Sequence, residues 1–371
     1  MSYYISGCMT GKNDQTLVAI EDSIMQKGRP VTAGSKILSG FTSPLDATVI
    51  SRLEAGGYAV SGKTKMREFG LLPLCEEACE ASGAVRAVAD GAVSFALCND
   101  FSGVTRREAA ENGICYIHPT YGCVSRYGLI PSACSMDQIG IVCRDIVEGF
   151  GLLSVIAGND EKDGAMYPDK SYVYEPLDKK IKAFVPENVL TAAIPEDKAA
   201  VLALSSHFDG VSTELAYFDV LNKAQYILSC AEISANLSRY DGVKFGFRAD
   251  RYNNLDGLYV NTRTQGFGLD AKLALIMGSM VLSKEYYTPC YEKALKLRRV
   301  IKDSLDFKSY DVILLPLRIT GGAYESSAVH ALAALAGLPC VSFSYNGGGV
   351  QILAAPKNEN ALLTVVKAVT R

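Results

Sequence analysis

The sequence predicts an α/β fold with a largely buried sheet. Helical and strand-like segments alternate almost from one end of the 371 residues to the other, which is the order expected when helices cover a sheet. The strand-like segments are short apolar runs such as AVSFALC and YDVILLPL, and 49% of all residues are hydrophobic. A chain of this length buries a large core, either as one domain or as two.

The first predicted elements lie within residues 17–118. The strand LVAIE comes first, and Asp46 is the expected N-cap of a helix that ends at Gly56 and Gly57. The alternating YAVS then predicts a short strand. Further along come a helix in CEEACEASGAVRAVADG, a strand in AVSFALC, a short helix in RREAAEN and a strand in ICYIH.

The longest early helix is predicted for residues 137–157, because apolar residues recur there at helical spacing. Their stripe comprises Ile139, Cys143, Ile146, Phe150, Leu153 and Ile156. A polar connection over residues 167–182 follows, and then strands in KAFVP and VSTELAY on either side of a helix. Residues 218–237 are predicted to form a further helix.

The rest of the chain continues the alternation of predicted helices and strands. Two helices are predicted in LDAKLALIMGSMVLSKE and YTPCYEKALKLRRVIKDSL. They are followed by the strand YDVILLPL, the helix SSAVHALAALAG, the strands PCVSFSY and GVQILAA, and the helix ENALLTVVKAVT.

Charge and composition argue against several classes of partner. The net charge is -3, which gives no electrostatic reason to expect nucleic acid or an anionic membrane. No signal-peptide pattern and no run of some 18 uncharged apolar residues is present, so the sequence predicts a soluble cytoplasmic protein. The 11 cysteines suit reduced core thiols. Cys75 and Cys79 alone suggest metal, but no second pair stands near them, and we expect two thiols one helical turn apart.

The stretch GGYAVSGKT contains the G-x-x-x-x-G-K-T spacing of a phosphate-binding loop. Such a loop needs a strand before its first glycine and a helix at the lysine. Here a predicted helix precedes Gly57 and a predicted strand follows it. A helix stop, a strand and a turn carrying a surface Lys63 therefore explain the match better than nucleotide binding, which stays the weaker alternative.

Several long motifs resemble those of amidase signature enzymes. They include LDATVISRLEAGGYAVSGKTKMREF, HPTYGCVSRYGLIPSACSMDQIGIVCRD, ISANLSRYDGVKFGFR and TRTQGFG, and the likeness runs from about residue 17 to the C-terminus. Within the family, the sequence looks most like the A subunits of glutamyl-tRNA(Gln)/aspartyl-tRNA(Asn) amidotransferases. The resemblance implies one domain over residues 1–371, with a mixed, many-stranded sheet between helical layers. Family members carry helices before the first strand, and we expect this region to be missing or minimal here.

The resemblance also implies where the catalytic residues of the family belong. The family uses a Lys–Ser–Ser relay, in which a neutral lysine is the base, a bridging serine passes the proton and a second serine attacks the amide. In this sequence Glu21 stands at the lysine, in AIEDS. Ala84 stands at the bridging serine, after a markedly shortened connection over residues 69–83, and Val104 stands at the nucleophile. We therefore expect no intact triad.

The substrate contacts implied by the family are also changed. Leu273 falls where an arginine would grip the substrate carboxylate, and Ser327 falls where an aspartate would receive its amine. Tyr240 is retained. No cofactor and no metal is expected.

An enzyme with rebuilt chemistry is the alternative. Ser102 and Asp100 lie just before the old nucleophile position, Glu21 is a conceivable base, and Cys98 is a conceivable nucleophile. Structural roles are the competing interpretation: Asp100 as a helix N-cap, Ser102 in a turn and Cys98 in the core. The three histidines, His118, His207 and His330, are expected to be structural or peripheral.

The sequence thus favours a catalytically degenerate relative of the amidotransferase A subunit, which acts in assembly or regulation. The resemblance implies protein partners, either B- and C-like subunits or an active paralogue. Neither direct nucleic-acid contact nor membrane contact is expected. An active amidase rebuilt around Ser102, Asp100 and Glu21 remains the second hypothesis.

Overall fold

The computed structural model describes residues 3–7, 15–72 and 81–369, and eleven strands in these ranges join one mixed sheet. In space the strands follow the order β1-β3-β2-β4-β6-β5-β10-β11-β9-β7-β8. Their bounds are β1 Tyr4–Gly7, β2 Leu17–Glu21, β3 Ala59–Thr64, β4 Phe95–Asn99, β5 Cys115–His118, β6 Ile139–Cys143, β7 Lys182–Phe184, β8 Asp209–Val211, β9 Val312–Pro316, β10 Cys340–Tyr345 and β11 Gly348–Ala354. The predicted α/β class and the mixed, many-stranded sheet are confirmed.

Twelve α-helices lie within the described ranges. They are α1 Thr48–Ala55, α2 Gly83–Ala89, α3 Val104–Glu111, α4 Ile146–Ile156, α5 Glu187–Ala192, α6 Pro195–Ser205, α7 Leu221–Leu237, α8 Leu255–Gly266, α9 Leu269–Val281, α10 Lys293–Asp303, α11 Ala323–Ala336 and α12 Glu359–Val369. A π-helical turn, Tyr287–Glu292, leads into α10. No helix of the described residues is long and apolar enough to cross a membrane.

The helices form layers on the two faces of the sheet. One buried apolar cluster packs α1, α4, α6 and α12 against alternate residues of the central strands. A second cluster combines α7, α9 and α11 with residues of β9, β10 and β11 that point the other way. Strands β3, β2 and β4 run parallel, whereas β4, β6, β5, β10, β11 and β9 pair antiparallel. The carboxyl ends of β2 and β4 therefore meet at the same edge of the sheet.

The predicted helix over residues 137–157 is wrong in its first third. Strand β6 occupies Ile139–Cys143, and helix α4 begins only after Asp145, whose carboxylate accepts a hydrogen bond from the Glu148 N–H. The run IGIVC is buried on both faces, so its apolar residues match a helical stripe by coincidence. Sequence periodicity does not separate these two cases.

Two smaller predictions about α1 and β3 also fail. Helix α1 begins after Ala47, and the Asp46 carboxylate instead accepts from the Lys27 N–H at 2.7 Å. Strand β3 continues through Lys63, which is only 1% exposed rather than on a surface turn. Its ammonium lies 3.2 Å from the Asp22 carboxylate, and this partner makes burial of the charge tolerable.

Candidate functional site

The candidate site lies where β2 and β4 end side by side. Glu21 is the last residue of β2 and is 2% exposed. Its Oε2 accepts hydrogen bonds from the backbone N–H of Asn99, at 3.0 Å, and from the Ser23 hydroxyl, at 2.9 Å. The carboxyl group thus fastens the end of β2 to the end of β4.

Burial changes the charge of Glu21. The pKa of this carboxyl is raised from 4.5 to about 8: removal from water is the largest cause, the two hydrogen bonds oppose it, and the nearby charges of Asp100 and Asp22 add to it. Below that pKa the group is a neutral acid. At neutral pH, Glu21 is therefore poorly suited to act as a general base.

The connection from β4 to α3 is built around the Asp100 carboxylate. It accepts from the backbone N–H groups of Gly103 at 2.9 Å and of Thr105 and Arg106 at 3.3 Å. The Nε of Arg106, a fully buried side chain, donates to the same carboxylate at 2.9 Å. Asp100 thus satisfies the free N–H groups at the start of α3, as the N-cap interpretation expects, although Gly103 occupies the cap position itself.

Val104 and Ala84 supply no chemistry at the positions implied for the two serines. Val104 is the first residue of α3 and is buried, and Ala84 is buried in the first turn of α2. The Ala84 backbone N–H donates to the Ser82 hydroxyl at 3.2 Å, so a serine is close by but serves as the cap of α2.

The hydroxyl of Ser102 is bound to a backbone carbonyl. It donates to the Gly70 carbonyl at 3.1 Å, and the neighbouring Asp100 is already occupied by Arg106 and the start of α3. Ser102 lines a cavity of about 30 Å³ with Gln225, Asp270 and others. Small-molecule sites usually measure some 300–1,000 Å³, so this space holds little more than water.

The Cys98 thiol and the three histidines also lie in surroundings that do not favour catalysis. Burial, together with the nearby Glu21 and Asp100, raises the pKa of the Cys98 thiol well above its usual value, which disfavours the reactive thiolate. Burial and the Arg106 charge hold the pKa values of His118 and His330 well below the usual range. His207 lies at the surface and contacts the Tyr345 hydroxyl at 3.1 Å.

The three substrate-contact positions do not converge. Ser327 lines the 30 Å³ cavity, but its hydroxyl donates to the Tyr324 carbonyl at 2.6 Å. Tyr240 is buried against Phe69, with ring centroids 6.0 Å apart, outside that cavity. Leu273 is half-buried on α9 and does not line the cavity.

Neither a phosphate-binding loop nor a metal cluster is formed by the described residues. Strand β3 includes the G-K-T residues, in extended backbone paired with β2, and Lys63 is committed to Asp22. No group of three metal-ligating side chains occurs in the described ranges. Cys75 and Cys79 lie outside the described residues.

Sequence reasoning missed the two buried ion pairs that brace this edge of the sheet. Asp22–Lys63 ties β2 to β3, and Asp100–Arg106 ties the end of β4 to α3. A signal for the second pair exists in the sequence, because an arginine lies six residues after an aspartate at a strand-to-helix connection. For the first pair, only the strand register brings the two residues together.

Comparison with known proteins gives consistent matches. A family model described as Amidase matches residues 16–322. The A subunit of a glutamyl-tRNA(Gln) amidotransferase from Lachnoclostridium phytofermentans is 37% identical over 338 residues, covering 81% of this chain and 66% of that protein. The protein of the same name from Nitratiruptor is 36% identical over 374 residues, with 94% and 84% covered.

Solved structures agree with the fold. The crystal structure of the glutamyl-tRNA(Gln) amidotransferase A subunit from Thermotoga maritima has a TM-score of 0.76 at 26% identity, covering 99% of this chain and 86% of that chain. The structure of 6-aminohexanoate cyclic dimer hydrolase has a TM-score of 0.78 at 18% identity, with 97% and 85% covered, and this likeness concerns the fold alone.

Proposed function

The chain belongs to the amidase family, and from this premise we propose that it is a non-catalytic member, similar to an amidotransferase A subunit, that serves in assembly or regulation. One observation carries the proposal: the positions implied for the lysine and the two serines hold Glu21, Ala84 and Val104, all of them buried. Without base, relay and nucleophile, only binding and oxyanion contributions to hydrolysis remain.

The surroundings of the other polar side chains support this proposal. Asp100 holds the start of α3, Ser102 donates to a backbone carbonyl, and burial raises the pKa of Glu21. Each of these groups forms hydrogen bonds with the backbone that stabilise the local structure. None of them forms the nucleophile–base hydrogen bond that covalent catalysis needs.

An exposed apolar stripe supports a role in assembly. Leu269, Ile276 and Met280 lie on one side of α9, at helical spacing, and Ile276 is 67% exposed. Contiguous exposed apolar residues mark protein interaction surfaces more often than scattered ones do. We propose that the partner is a B- or C-like amidotransferase subunit or an active paralogue.

The catalytic half of the proposal is tested with the purified chain, glutamine and a serine-reactive fluorophosphonate probe. We expect neither ammonia release nor labelling. Labelling that disappears in Ser102→Ala, and persists in Ser327→Ala as the matched control, would overturn the proposal. It would support the second hypothesis, an amidase rebuilt around Ser102.

The assembly half is tested by co-purification from the native cells. We expect an amidotransferase subunit or an amidase paralogue to be retained by the wild-type chain and lost in Ile276→Asp. Val173→Asp is the matched control, because Val173 is 74% exposed away from α9. Recovery of the same partner by both variants would contradict the role of the α9 stripe.

A further inference from the structure

A cleft beside α2 is separate from the small cavity at Ser102. It encloses about 580 Å³, within the range of small-molecule sites. Its walls come from the ends of four segments that are far apart in sequence: residues 34–36, 65–68, 81–86 and 265–268, together with Tyr3. A space built from that many segments has a defined shape.

Charge in the cleft is predominantly positive. Among the described residues, four cationic side chains line it, namely Lys36, Lys65, Arg67 and Arg86, together with the carboxylate of Glu68. Lys65 is exposed, so its ammonium is accessible to a ligand. Several cations around one concave surface attract anions, because the low-dielectric walls concentrate their field.

The Glu68 carboxylate in the wall accepts hydrogen bonds from neighbouring protein groups. Glu68 accepts from the Ser35 hydroxyl at 2.5 Å and from the Gly268 N–H at 3.0 and 3.1 Å. Burial raises its pKa, and the hydrogen bonds from Ser35 and Gly268 oppose that rise. Arg67 is held in place by Glu108 at 2.8 Å, which orients its guanidinium at the wall.

The backbone segments that form the cleft pack closely against one another. A Cβ added at Gly83 would lie 2.8 Å from the backbone N and O of Lys65, and one added at Gly34 would lie 2.7 Å from the Met66 carbonyl. The segments that carry the cations are thus in close backbone contact. Phe267 and Tyr3 add aromatic surface to the walls.

We propose that this cleft binds a small anion, with its phosphate or carboxylate oxygens at Lys65 and Lys36. Lysine and arginine donors bind either type of oxyanion with charge-assisted hydrogen bonds.

Calorimetric titration of the full chain at low ionic strength tests the proposal, with pyrophosphate and citrate as probes. We expect binding with a Kd below about 1 mM for at least one probe, weakened about tenfold or more by Lys65→Glu and by Lys36→Glu. Lys198→Glu is the matched control. This variant changes the net charge by the same amount at an exposed position of α6, and it should leave the Kd unchanged.

The two probes also separate the sources of the oxyanion. Binding of pyrophosphate alone would support a phosphorylated ligand, and binding of citrate alone would support a polycarboxylate. No binding of either probe near 1 mM would overturn the proposal, as would an equal loss in Lys198→Glu, which would indicate attraction by net charge alone. Unchanged thermal unfolding of each variant shows that the fold is intact.

Discussion

The edge at the ends of β2 and β4 and the cleft beside α2 use charged residues in opposite ways. At the strand ends, Asp100 and Arg106 are buried and satisfy one another. In the cleft, Lys65 is exposed and faces open space. The difference shows that a buried ion pair holds secondary-structure elements together, whereas an exposed ammonium such as that of Lys65 stays accessible to solvent.

The largest expected change in the free energy of unfolding comes from Arg106→Met. Removal of this guanidinium leaves the Asp100 carboxylate buried without its partner, which costs about 3–5 kcal/mol of unfolding free energy. Lys65→Met in the cleft is the control and should change that free energy by less than about 0.5 kcal/mol. Denaturant unfolding of both variants measures the contrast, and equal losses would show that the two regions do not differ in this way.

Gly103→Ala should have the next largest effect. Gly103 has φ +85°, and a Cβ there would lie 2.2 Å from the His330 Cβ, so α3 and α11 would have to separate. We expect a loss of roughly 2–4 kcal/mol. Gly28→Ala is the matched control, because φ is +73° but no atom lies within 4 Å, and about 1 kcal/mol is expected. Comparable losses in chemical unfolding would mean that the contact with His330 is not tight.

Glu21→Gln gives a smaller effect that depends on pH. The pKa of Glu21 is higher in the folded chain, about 8, than the ordinary 4.5, so its contribution to stability is fully present below pH 4.5 and is lost as pH rises through 8. Glutamine keeps the bond from Asn99 and does not titrate. The variant should match the wild type near pH 5 and exceed it by roughly 2–4 kcal/mol near pH 9. Parallel pH profiles would contradict the raised pKa.

The sequence predicted most elements because their signals are local. Short apolar runs identified β2, β4, β9, β10 and β11, and the helix predicted over residues 218–237 corresponds to α7. The family motifs predicted the mixed sheet. The failure at β6 has a physical cause: a strand buried on both faces has no polar side to reveal its period.

The candidate site was less predictable, because it depends on contacts between distant residues. The family motifs alone led to the prediction that Glu21, Ala84 and Val104 stand at the positions of the catalytic lysine and serines. The raised pKa of Glu21 and the burial of Lys63 were not, since both follow from the register between β2, β3 and β4. The cleft was also hidden, as its walls come from residues as far apart in sequence as Tyr3 and Gly268.

The position of β10 affects the order in which the sheet can form during synthesis. Strand β10 lies between β5 and β11 near the middle of the sheet, although it is the second-last strand of the chain. During synthesis, β5 therefore keeps an unpaired edge until more than 200 further residues have left the ribosome. Such long-range pairing slows folding and leaves strand edges open to aggregation. Strand β10 thus completes the centre of the sheet late in synthesis, and nascent chains stalled before residue 340 should be the ones that chaperones retain.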